Sequence, residues 1–183
     1  MNIEFLKDYC AGDPVRHGLG FLYLPMKLNY RLNFHSGLIP GPSKSAHSHG
    51  SNFDSECLFG ELKNIIYEFD VVKKSDWFAA TVTCEEGDIP KIVHHNVEPK
   101  IVSEEIQNKG DVISHYYKNI HDFELLSDHA VTRLFFTSEY LEDPIIIKSK
   151  HKKLVCPYAD KGTPEENWEI IEEIIKGQED IVL

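Results

Sequence analysis

The chain has 183 residues, enough for one domain with a real apolar core and little room for a second. Thirty acidic against 19 basic residues give a formal charge of −11. Such a field repels a phosphate backbone and an anionic membrane surface, so neither nucleic acid nor membrane is an expected partner. Met1 to Asp8 lack the apolar run of a secretory signal, and no later stretch is long enough to cross a bilayer, which predicts a cytoplasmic protein. Cys10, Cys57, Cys84 and Cys156 show none of the close paired spacing of zinc ribbons or redox motifs, so reduced thiols are expected. Ten histidines are many for this length, and histidine is the commonest metal ligand.

In chain order, Phe5 to Cys10 and Phe21 to Leu24 combine a helix-like stretch with an extended one, separated by Gly12, Pro14 and Gly18; this reads as a wrapping arm. From Leu28 onward short β-rich runs take over: Leu28 to Phe34, Cys57 to Phe69, Trp77 to Cys84, Ile92 to Val97, Ala130 to Thr137 and Ile145 to Val155. Turn residues punctuate them at 37–42, 86–90, 108–111 and 142–144. Many short strands with closely spaced turns predict an all-β barrel or sandwich, with its core over about 28–158. Thr163, Pro164 and Glu166 spell the start of a helix over about 164–176. Trp168, Ile171, Ile174 and Ile175 give that helix one apolar stripe, which predicts docking onto the body, and Gly177 supplies a stop.

The segment from Gly41 to His49 places His47 and His49 two residues apart after a glycine turn. On a strand both rings project from one face and can grip one ion. With ten histidines, a His-x-His arises by chance in roughly half of such chains, so the pair alone carries little. Parity puts Phe53, and not Asp54, on the face of the histidines, although Gly50-Ser51-Asn52 can break the register. Arg31 and Arg133, both in predicted strands, are candidate partners for a substrate carboxylate, and Tyr140 is a candidate proton donor. Cys57 reads as a buried thiol.

Gly41-x5-His47-x-His49, followed by Gly60, resembles the first cupin motif, and Gly110 with His121 matches the spacing of the second. The resemblance implies a cupin, a double-stranded β-helix with an N-terminal arm and a C-terminal helix, forming a monomer or homodimer. It implies His47, His49 and His121 as metal ligands, with His115 as the rival to His121. The glutamate usual in the first motif is absent, leaving Asp54 as a candidate fourth ligand and Glu56 behind it. Asn119-Ile120-His121-Asp122-Phe123 is similar to the stretch around the third iron ligand in the cysteamine dioxygenase and plant cysteine oxidase family. Scattered likeness to that family runs from about residue 41 to residue 158, ending at Cys156-x-Tyr158. The family would bring Fe(2+), with Zn, Mn or Ni as alternatives, and a small thiol and dioxygen as reactants, with Tyr140 and Arg133 as catalytic candidates. A metal-dependent isomerase, a lyase, an oxygenase of another substrate and a non-catalytic ligand-binding cupin stay open beside it.

Overall fold

The computed structural model describes residues 2–39, 45–82, 91–152, 161–176 and 178. Helix α1 (Ile3–Tyr9) is capped by Asn2, whose side-chain oxygen accepts from the Phe5 amide at 2.8 Å. Next come β1 (Val15–His17), β2 (Phe21–Pro25), β3 (Tyr30–Ser36), β4 (Phe53–Phe59), β5 (Glu61–Val71) and β6 (Trp77–Thr81). The chain continues through β7 (Lys91–Asn108), β8 (Val112–His115), β9 (Ile120–Leu125), β10 (His129–Phe136) and β11 (Ile145–Ser149), and helix α2 (Pro164–Ile175) follows. No helix among the described residues is long and apolar enough to cross a membrane.

The strands form two antiparallel sheets, β1-β2-β3-β10-β4-β8 and β11-β6-β7-β5-β9. Residues 46–48 add a rung to the second: His47 exchanges backbone hydrogen bonds with His121 of β9, both 2.8 Å. On the other side of that rung, the Ser48 amide donates to Ile145 and the Ile147 amide to Ala46, both in pairings with β11. The runs β3, 46–48, β4, β5, β7, β8, β9 and β10 therefore pass between the sheets so that four lie in each, which is a double-stranded β-helix. The expected all-β cupin-type barrel with a C-terminal helix is what the chain forms. Because 46–48 joins β9 to β11, the second sheet closes on itself around a small core of Ala79, Val97, Ile120 and Ile147. Residues alternating with these, such as Phe78, Ala80, Phe123 and Ile146, face the main barrel.

Strand parity also sorts β2 and β3. Leu22, Leu24, Leu32 and Phe34 turn outward to a core shared with Leu6, Ile171, Ile174 and Ile175, so both helices cover the outer face of the first sheet. The predicted stripe of α2 does dock there, with Thr163 and Glu166 forming a reciprocal capping box. Gly177 lies outside the described residues.

Several expectations need correction. The wrapping arm is instead a helix and two strands that extend the first sheet, because Phe21–Pro25 pairs residue by residue with β3. β7 runs to Asn108, where the pattern of the sequence stopped at Val97. Its residues past 97 are mostly exposed and interrupted by Pro99, so no alternation marks them. β8 and β9 were not among the predicted runs. The expected turn at 108–111 is present, with Gly110 at φ +90°. Gly41, Cys84, Cys156, Tyr158 and the turn at 86–90 lie outside the described residues.

Candidate metal centre

His47 and His121 face each other across the rung that joins 46–48 to β9, and His49 follows two residues on. Backbone pairing therefore places all three rings on the inner side of the barrel. Their ligand-capable nitrogens lie within 4.8 Å of one another, and Nε2 of His49 is 2.7 Å from Nε2 of His121. Small side-chain adjustments bring such a set onto one ion at about 2.0–2.1 Å. Nδ1–H of His47 donates to the Ser45 carbonyl at 3.0 Å, which fixes that ring's tautomer and leaves Nε2 as a lone-pair donor. Nδ1 of His121 is buried without a hydrogen-bond partner among the described residues. A divalent ion fits this donor set: neutral imidazoles are what it requires, and among the described residues one of the six ring nitrogens, Nδ1 of His47, is hydrogen-bonded to a backbone acceptor.

Burial is the main reason these rings stay neutral. It lowers the pKa of His47 to about 4, against the Ser45 hydrogen bond, which raises it, and the nearby charge of Arg31, which lowers it further. His49 and His121 lie well below the ordinary histidine value, again chiefly through burial and then through the other imidazoles. His115, lowered to about 4 by burial, stacks on Phe53 with ring centres 4.6 Å apart and lies 4.5 Å from His121. It shares the cavity but lies outside the group of three.

Two chambers meet at the cluster. The inner one, about 40 Å³, is walled by the three histidines with Phe53, His115, Phe123 and a polar floor of Asn64, Gln107 and Thr132. At that size it is large enough to admit water or a few ligand atoms. The outer one, about 230 Å³, is lined by His17, Phe136, Tyr140 and Ile146, and shares Phe21, Arg31, His47 and His49 with the inner chamber.

The other sequence candidates separate by strand face. Phe53 and Ser55 line the inner chamber, as parity required, so Asp54 turns away, and its carboxylate accepts from the Ser114 hydroxyl at 2.6 Å. Asp54 is therefore not brought to the three histidines. Arg133 likewise points outward between Thr132 and Leu134, and its guanidinium forks onto Glu56 at 3.1 and 2.6 Å. That pair removes both Arg133 and Glu56 from the cavity. Tyr140 lines the outer chamber, with its hydroxyl donating to Asp143 at 2.7 Å. Its ring packs so closely over Gly50 that a β-carbon there would lie 2.2 Å from it. Cys57 is buried, its thiol directed at the carbonyls of Phe59 and Gly60, and burial pushes its pKa up to about 11. Sequence reasoning missed Asn33 and His35 of β3, which line the inner chamber on the same face as Arg31. Period-two spacing from Arg31 was the available signal.

No family model matches the chain, and no curated protein matches it. Solved structures similar to it include the cupin domain of Drosophila melanogaster CENP-C, at 11% identity over 70% of this chain and 74% of that one, with a TM-score of 0.37. Hydroquinone 1,2-dioxygenase PnpCD in complex with Cd2+ and 4-hydroxybenzonitrile is similar at 10% identity, over 77% and 74% of the two chains, with a TM-score of 0.38. E. coli ycfD covers 82% of this chain with 41% of its own, at 13% identity and a TM-score of 0.34. At these identities no chemistry passes from those proteins to this one.

Proposed function

We propose that the protein is a mononuclear non-haem iron oxygenase that adds dioxygen to a small thiol or thiol-bearing substrate, with Fe(2+) held by His47, His49 and His121. The observation that carries this reading is the convergence of three neutral imidazoles, His47 and His121 buried and His49 half-buried, two of them 2.7 Å apart, with no carboxylate joining the group among the described residues. Neutral ligands leave a divalent ion its full charge, which favours an anionic co-ligand such as a thiolate. When bound, a ferrous ion would supply a redox-active Lewis acid with open positions for thiol and dioxygen.

The chain's own residues do the rest. Ser45 holds the His47 ring in its ligating tautomer. Phe21, Phe53 and Phe123 give the inner chamber an apolar wall beside the ligands, which lowers the local dielectric and strengthens interactions with charge. Tyr140, held by Asp143 over Gly50, walls the approach from the outer chamber and positions what enters.

The reaction adds both atoms of dioxygen to sulfur, converting a thiol to a sulfinic acid. Oxygen uptake by the iron-loaded protein across a panel of small thiols tests it, with product mass as the second readout. A product heavier by two oxygen atoms is expected. Uptake unaffected by every thiol overturns the thiol assignment, and turnover of a substrate with redox-inert zinc in place of iron points to non-redox chemistry at the same site.

A further inference from the structure

β3 presents Arg31, Asn33 and His35 to the inner chamber, two residues apart, while Leu32 and Phe34 between them are locked into the core beneath α2. The face is thus fixed by apolar burial, and the polar stripe has no alternative orientation. Arg31 stands where the two chambers meet and lines both. The centres of the Phe21, Tyr23 and Phe136 rings lie 6.0, 5.5 and 5.4 Å from its guanidinium carbon, a collar that holds the planar group in place. Its charge reaches His17, His47 and His49, on each of which it disfavours protonation. The described residues lining the two chambers include no Asp or Glu, although the chain carries 30 acidic residues. Asn33 is 5% exposed, and its side-chain oxygen has no hydrogen-bond partner among the described residues. A buried acceptor of that kind is open to a donor brought by a ligand.

We infer that Arg31 and Asn33 form the recognition edge of the site and select a small carboxylate-bearing substrate. Arg31 receives the carboxylate through its two-pronged guanidinium, and Asn33 accepts a hydrogen bond from a donor on the same molecule. This rests on the reading of the three histidines as a metal centre, which would take the other end of that substrate. Both residues contact the substrate itself, at the end away from the ligating nitrogens.

Calorimetric titration of 3-mercaptopropanoate and its methyl ester into zinc-loaded and metal-free protein tests the assignment. The acid is expected to bind zinc-loaded wild type at least tenfold more tightly than the ester. Arg31→Gln should erase that preference with zinc stoichiometry unchanged, and Arg31→Lys, which keeps the charge and loses the fork, should retain part of it. Should Arg31→Gln not fold, the wild-type acid-to-ester ratio and Arg31→Lys decide the matter alone. Equal binding of acid and ester by zinc-loaded wild type overturns the inference, as does a full preference in Arg31→Gln. A preference for the acid in protein that takes up no zinc overturns the metal reading and leaves Arg31 as the anion receptor.

Discussion

Each candidate ligand is distinguished from its neighbours by one thing, the side of the strand it occupies. His121 points into the barrel between Ile120 and Asp122, which face the smaller core and its rim. Asp54 points out between Phe53 and Ser55. Two substitutions therefore behave oppositely. His121→Ala should lower metal affinity by at least ~100-fold, beyond what loss of a supporting hydrogen bond costs, whereas Asp54→Asn should leave affinity within about twofold. Metal content by elemental analysis after dialysis against a buffered ion distinguishes them. The same burial that neutralises the ligands links stability to pH. His17 is lowered to about 3 by burial, then by Arg31 and His47, and His115 to about 4 by burial and His47. Each binds a proton in the unfolded chain at a pH where the folded ring stays neutral, so their contribution is complete above about 6.5 and lost as pH falls through the folded values. Denaturant unfolding of metal-free protein should show stability dropping between pH 6.5 and 4, by a few kcal/mol on an order-of-magnitude scale.

Elements were legible where local chemistry specified them. The α2 boundaries follow from Thr163, Pro164 and Glu166, and its docked stripe from residues three and four apart, because caps and periodicity act within a few residues. The corner at which the chain crosses from β4 in one sheet to β5 in the other depends on Gly60 at φ +79°, where a β-carbon would lie 2.1 Å from the His129 carbonyl oxygen and 2.8 Å from Cα of Ala130. Gly60→Ala suffers both a left-handed backbone and a clash with backbone that has no room to retreat, so it should cost ~2 kcal/mol or more. A shift in the urea midpoint at constant slope is the measurement. β7 was half missed because its second part is held by pairing with β5, from Val71 opposite Val97 to Glu61 opposite Asn108, and partners so far apart in the chain leave no periodic trace in exposed sequence.

At the scale of the whole molecule, the metal centre joins segments that are distant in the chain: His47 and His49 on one side of the closing rung and His121 on the other. A metal bound there links those segments in the folded state only, so free ion at a hundred times its dissociation constant should add ~2.7 kcal/mol. For a chain of this size that raises the melting temperature by roughly 5–11 °C, reversible with a chelator. Differential scanning calorimetry with and without Zn(2+) reads the shift, and an unchanged transition would mean that the histidines hold no ion. The sequence by itself determined the all-β class and the docked helix, since composition, caps and short-range spacing are local properties, while the three histidines came from the resemblance to the cupin motifs. Only the tertiary structure decided which candidates converge. It turned Asp54, Glu56 and Arg133 outward and brought Arg31, Asn33 and His35 inward, because a strand's facing depends on which side finds a core, and Leu32 and Phe34 find theirs only beneath helices at the two ends of the chain.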